Sequence, residues 1–416
     1  MRKITLIRGA RQLLTLRGPD GPRRGAELGN LGLIHDGAVL LADGLVLEVG
    51  PSRRVENLAL ARQAEEIDAS GCVVLPGFVD SNVQIVGGPL HPGEDGPNSF
   101  SSRGAARSEL HALANAKSLH ALSFRALESI ALRRVEQAVR HGTTALEAKS
   151  GVSLTDAGET KTLRVHAAMR GRLPVVSTLL CVRPHLGQDL AEYVGATTGR
   201  LLPRLRRRKF AEFVEIRPSA EVPKPYAARL LNAARDLGFG LKVYAGPDSR
   251  DAVPLAQEAG AAVIDDLVEV SDAEARLLAS SQIVATLSPT PDVANASYDS
   301  RARTLIDGGA AIALATNYRA GGNPSLNLQM TIALACRAFR LTAAEAISAA
   351  TINGAHALRR ASRIGSIETG KDADILLLSI PDYRELPYHF GVNLVDAVIQ
   401  RGTVITKRSE VTWATP

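Results

Sequence analysis

Between residues 73 and 360 the chain alternates short, continuously apolar runs with amphipathic stretches, and this alternation restricts the fold more than any other feature. The runs include TTALEA, PVVSTLL, FVEIRP, GLKVYAG, AVIDDLVEV, QIVATLSP and AIALATN. Helical patterns follow several of them, from about Asp156 to Arg170, Lys224 to Leu237 and Asp251 to Ala259. A strand apolar at every position is buried on both faces, which requires a parallel sheet with helices packed outside it. About eight such units predict closure into a (β/α)8 barrel, whose chemistry sits at the C-terminal ends of the strands.

The two ends read differently. ITLIRGA, AVLLADGLVLEVG and EEIDASGCVVLPG near the N-terminus, and ADILLLS (Ala373 to Ser379) and AVIQRGTVI (Ala397 to Ile405) near the C-terminus, are alternating strands with Gly/Asp turns. The expectation is an α/β protein in which residues 1–72 and 361–416 build one composite β-sandwich domain around a barrel of residues 73–360.

Composition excludes several classes. With 416 residues, 45% hydrophobic and 22% charged, the chain can bury a large core and is neither disordered nor fibrous. No run of about 18 apolar residues suggests a membrane span, and Met1 to Ala10 lacks the apolar region of a signal peptide. A cytoplasmic location without membrane partners is expected. Cys72, Cys181 and Cys336 are odd in number and far apart, so they read as small buried hydrophobes. The net charge of +6 is densest at Arg204, Arg206, Arg207, Arg208 and Lys209. No aromatic residues interleave with them, so a solvated helix end is expected and no nucleic-acid partner.

VLPGFVDSNVQ (Val74 to Gln84) resembles the first barrel strand of the amidohydrolase superfamily, where the string is close to LPGFVDxHxH. GTTALEAKSG (Gly142 to Gly151), LKVYA, IDDLVE, IALATN, NPSLNLQM, AATINGAHALR and DYRELPYHFGVNLV (Asp382 to Val395) narrow the resemblance to the imidazolonepropionases of histidine degradation. It covers nearly the whole chain. It implies a barrel with a composite β domain, a homodimer, and a catalytic zinc or iron held by the HxH pair, a histidine on the fifth strand, one on the sixth and an aspartate on the eighth. That aspartate, in a string like LATDFNPG, also takes a proton from the attacking water.

At these positions the chain has Asn82, Gln84, Tyr244, Asp266 and Asn317. Amides and a phenol are poor ligands beside imidazole, carboxylate or thiolate, and an amide is no base. Substrate-side positions differ as well. The family's KSGYGL is KSGVSL here, with Val152 for tyrosine, and Arg183 stands at a histidine position with His185 two residues on. Pro247 takes an acid's place beside Asp248, and Leu90 or His91 falls where a substrate-binding arginine is expected.

Four readings of the mouth follow: a mutually hydrogen-bonded polar plug; a calcium or magnesium site from Asp265, Asp266, Asn82 and Gln84; metal-free chemistry at Asp80, Asp266, Tyr244 or His185; or ligand binding without turnover. Lys149, Arg183, His185, Asp248 and Arg319 are the candidates for holding a small polar or anionic ligand. No cofactor is expected. The leading expectation is a family member that has lost metal-dependent hydrolysis and serves as a binding or partner protein, with hydrolysis of cyclic amide C–N bonds as the alternative. Among the other histidines, His35, His111, His120 and His166 are expected at the surface or satisfied, His141 at a helix C-terminus, and His356 and His389 in packing roles. Gly93 to Ser108 reads as a loop over the mouth.

Overall fold

Eight parallel strands form the barrel: β6 (Phe78–Asp80), β8 (Thr143–Lys149), β9 (Val175–Cys181), β10 (Phe213–Ile216), β11 (Gly240–Tyr244), β12 (Val263–Asp265), β13 (Val284–Leu287) and β14 (Ala311–Leu314). The computed structural model describes residues 3–87, 116–117, 119–182, 188–246, 249, 251–289, 301–319, 323 and 325–407. Hydrogen bonds run continuously from β6 through β8 to β14 in that order. Every residue of these strands is buried, the two-faced burial that their unbroken apolar runs require. The fold is therefore the (β/α)8 barrel that the alternation predicts.

The seam between first and last strands is closed differently. Just past their ends β7 (Val83–Gln84) pairs in parallel with β15 (Tyr318–Arg319), placing Gln84 opposite Arg319. One layer deeper the Asp80 carboxylate accepts from both the backbone N–H (3.0 Å) and the hydroxyl (2.6 Å) of Thr316. A side-chain clasp thus joins two segments more than 230 positions apart in the chain.

The helices outside follow their amphipathic patterns. Phe124–Arg140 buries Leu127, Ala131, Val135 and Ala138, one stripe at helical spacing, and Ser123 caps it by accepting from Ala126 N–H. Capping boxes start Asp272–Ala279 (Ser271 with Glu274) and Ala343–Ala350 (Thr342 with Glu345). The predicted helices are found at Asp156–Met169, Lys224–Asp236 and Ala252–Ala259. Arg206 to Lys209 are exposed at a helix end, as the sequence suggests, while Arg204 is half-buried and donates to Thr160.

Both chain ends build the second sheet. β1 (Ile4–Leu14), β2 (Leu33–Ala42), β3 (Leu45–Pro51), β4 (Glu65–Asp68) and β5 (Val73–Pro76) join β16 (Ile375–Leu378), β17 (Val395–Gln400) and β18 (Thr403–Lys407). Ile7, Leu13, Val39, Leu41, Val74, Ile375 and Ile399 share one apolar cluster, and Leu6, Ala38, Leu40, Val55 and Ala61 another. Neighbouring residues of β1 and β2 divide between the two clusters, as the period of a strand dictates.

Among the described residues no helix is long and apolar enough to cross a membrane, and Cys72, Cys181 and Cys336 are free thiols. His141 caps the C-terminus of Phe124–Arg140, as expected. His166 departs from the expectation of a surface or satisfied histidine: it is fully buried on the inner face of Asp156–Met169 with no hydrogen-bond partner among the described residues at either ring nitrogen, and burial holds its imidazole neutral, with a pKa of about 3. Gly93 to Ser108, Leu90, His91 and His111 lie outside the described residues.

Candidate functional site

At the barrel mouth the strand ends deliver Tyr244, Asp266, Asn317 and Arg319 to one place. Tyr244 ends β11, Asp266 follows β12, and Asn317 and Arg319 follow β14. Asp266 and Asn317 both adopt left-handed backbone, with φ of 55° and 52°. Aspartate and asparagine tolerate that conformation better than most residues.

Four side chains interlock there. Tyr244 Oη donates to Asp266 Oδ2 at 2.5 Å, and Asn317 Nδ2 donates to Asp266 Oδ1 at 3.1 Å. Arg319 Nε donates to Asn317 Oδ1 at 3.1 Å, and its Nη2 donates to Tyr244 Oη at 3.3 Å while lying 3.6 Å from Asp266 Oδ2. Burial pushes the Tyr244 phenol above its ordinary pKa; Asp266 adds to the rise and Arg319 opposes it. Asn82, buried, and Gln84, half-buried, lie on the adjoining edge where β7 meets β15.

Arg217 completes the setting and is a residue that sequence reasoning missed. Its guanidinium carbon lies 5.2 Å from the Tyr244 ring centroid, and that of Arg319 lies 5.4 Å from it. Strand periodicity could have found it, since Arg217 is two residues beyond Glu215 at the end of β10 and faces the same way.

Beneath the mouth is a second polar layer. Lys149 Nζ is 2.6 Å from Glu215, 2.7 Å from Asp265 and 3.5 Å from Glu147, while Lys242 Nζ is 2.7 Å from Glu147 and 3.4 Å from Asp265. All five side chains are at most 2% exposed. Three carboxylates face two ammonium groups, so full ionisation leaves one uncompensated negative charge in the barrel. Burial, with Asp265 and Glu147 nearby, accordingly pushes Glu215 up to about 8 despite Lys149. Burial acts in the same direction on Asp265, but the two lysines outweigh it and bring that carboxyl down to about 2. Asp80, also buried, rises to about 7 against its bonds from Thr316.

This geometry separates residues that look equivalent in the sequence. Lys149, a candidate for holding ligand at the mouth, is instead locked inside the barrel among carboxylates. Asp265 and Asp266 are neighbours but do not share a site, because Asp265 turns to Lys149 and Lys242 while Asp266 turns to Tyr244 and Asn317. The hard-cation reading that combined the two aspartates is corrected by that divergence. Arg319 is at the mouth, with its side chain 36% exposed. Arg183, His185 and Asp248 lie outside the described residues.

The arrangement does not fit the divalent ion that the resemblance implies. Zinc prefers imidazole, thiolate and carboxylate, whereas Asp266 is the one such group among the five ligand positions and both its oxygens already accept hydrogen bonds. Arg319 adds repulsion. At about 4 Å and an effective dielectric of about 20, two unit charges interact by about 4 kcal/mol, and a divalent ion doubles that. Among the described residues no group of three or more His, Cys, Asp or Glu side chains could hold a metal.

The fold is a (β/α)8 barrel with its polar groups at the strand ends, and comparison with known proteins gives the family. Residues 257–405 match the model of the Amidohydrolase family. Triazine hydrolase from Arthobacter aurescens superposes with a TM-score of 0.76 at 16% identity, covering 97% of this chain and 95% of that one. E. coli guanine deaminase gives 0.71 at 15% identity, covering 98% and 100%. Imidazolonepropionase of Parabacteroides distasonis is 38% identical over 95% of this chain and 97% of its own length, and that of Geobacillus kaustophilus 34% over 97% and 98%. The chain belongs to the imidazolonepropionase family.

Proposed function

We propose that this chain keeps the imidazolonepropionase scaffold without metal-dependent hydrolysis and serves as a binding or partner protein. One observation carries the reading: both oxygens of Asp266 are engaged by Tyr244 and Asn317, with the Arg319 guanidinium beside them. Asn317 has no basic lone pair with which to activate water.

The test is metal content by inductively coupled plasma mass spectrometry after incubation with zinc, iron or manganese and desalting, with ring opening of imidazolone propanoate assayed in parallel. The expected result is metal-free protein and no turnover. Near-stoichiometric metal with turnover sinks the reading.

A second reading, hydrolysis of cyclic amide C–N bonds, is favoured by near full-length similarity to relatives named imidazolonepropionase. It requires Asp266 and Tyr244 to be essential for turnover. We also propose a cytoplasmic homodimer. The exposed apolar side chains of Tyr388, Phe390 and Val392 on one short segment support association, and light scattering on the purified chain checks it.

A further inference from the structure

We propose that the Arg319 guanidinium is the cation paired with Asp266 at the barrel mouth, and that this side chain is what keeps a divalent ion from the oxygens around Asp266. The inference rests on the non-hydrolytic reading and names the residue responsible for it. Aligned on the family string LATDFNPG, LATNYRAG puts Arg319 opposite an asparagine, so the positive charge arrives in the same segment in which the catalytic aspartate position has become Asn317.

The hydrogen bonds have a consistent direction. Asn317 turns its oxygen to Arg319 and its N–H group to Asp266, which fixes the amide head to tail between cation and anion. Tyr244 does the same, accepting from Arg319 and donating to Asp266. The oxygens of Asn317 and Tyr244 are therefore committed to the guanidinium, and both Asp266 oxygens accept hydrogen bonds from those same two side chains. Arginine stays protonated at any pH at which the chain is folded, so this blockade does not relax.

Removing the guanidinium frees Asn317 Oδ1 and Tyr244 Oη and takes away the cation paired with Asp266, leaving Arg217 beside the Tyr244 ring. One carboxylate with neutral oxygens is a hard donor set, suited to manganese or magnesium and not to zinc. The site hidden under Arg319 is thus a weak one for a hard divalent cation, distinct in chemistry from the histidine site of the family.

Manganese is the probe, followed by electron paramagnetic resonance and by its effect on thermal unfolding of the full chain. The unaltered protein and R319K, which keeps the charge, are expected to show no saturable uptake. R319M is expected to bind one Mn2+ per chain at least roughly tenfold more tightly than the unaltered chain. Mn2+ should raise the melting temperature of R319M only, and R319M/D266N should lose the gain. R319Q gives the same test should R319M not fold. Equimolar uptake by the unaltered chain overturns the proposal. So does folded R319M that binds none, or failure of R319M and R319Q to fold even with millimolar MnCl2, which would make Arg319 a structural strut. Zinc uptake with turnover by the unaltered chain defeats the non-hydrolytic reading itself, whereas metal-free protein in both forms defeats only the assignment to Arg319.

Discussion

Tyr244 and Asp266, at the ends of adjacent barrel strands, are joined by a hydroxyl-to-carboxylate hydrogen bond of 2.5 Å. Bonds of this kind to an ionised acceptor are short and stronger than neutral ones. Tyr244→Phe keeps the ring beside its two guanidinium neighbours and removes that bond together with the longer one from Arg319 Nη2 (3.3 Å). The expected cost is about 1.5 kcal/mol, the low end for a bond to a charged group because Asp266 is partly exposed. Urea unfolding measures it, and no detectable loss would mean that Asn317 and Arg319 satisfy Asp266 alone.

Lys149 is the hub of the buried ionic layer, within 3.5 Å of three carboxylates. Lys149→Met leaves Glu147, Glu215 and Asp265 facing Lys242 alone. Breaking a buried pair by removing one partner costs about 3–5 kcal/mol, so guanidinium chloride should unfold this variant at a clearly lower midpoint. Adding Asp265→Asn relieves part of the excess charge, and the double variant should be more stable than K149M. Strict additivity of the two losses would refute that coupling.

Glu215 gives the fold a pH dependence whose sign is fixed. Its carboxyl is pushed up to about 8 in the folded barrel against an ordinary 4.5, so folding takes up a proton between those values. That contribution favours the folded state below about 4.5 and is lost as pH rises through about 8. Glu215→Gln mimics the protonated form and should flatten the decline in melting temperature between pH 5 and 8. Parallel curves for the two proteins would assign the decline elsewhere.

Asn353 ties the N-terminal segment to the barrel from inside. Its Oδ1 accepts from Arg23 N–H at 2.7 Å, and its Nδ2 donates to the carbonyls of Arg23 (2.9 Å) and Ile312 (2.7 Å). Asn353→Ala orphans these buried backbone groups, each worth about 1–3 kcal/mol when unsatisfied. A loss of about 3 kcal/mol is expected, and limited proteolysis should cut first near Arg23. An unchanged digestion pattern would contradict the anchoring role.

Much of the architecture was legible because burial on two faces writes an unbroken apolar strand, as in AIALATN, and burial on one helical face writes a stripe such as Leu127, Ala131, Val135 and Ala138. The composition of the mouth was also legible, since strand ends are fixed once strands are placed. What could not be read was direction. Asp265 and Asp266 differ by one position, and only the turn after β12 decides which faces Lys149 and which faces Tyr244. Lys149 reads as a mouth residue until Asp265, 116 positions away, is known to be its partner. His166 reads as a helix-surface histidine because its neighbours are mixed, and its burial follows from tertiary packing.

The left-handed backbone at Asp266 and Asn317 limits which side chains these two strand ends can carry. Such a conformation admits aspartate, asparagine or histidine several times more readily than other side chains, and β-branched ones hardly at all. The alphabet at these two strand ends is therefore short, and it happens to contain an acid, an amide and an imidazole. Exchanging single side chains at these two positions can therefore move the mouth between those chemistries without a change in the main chain that presents them.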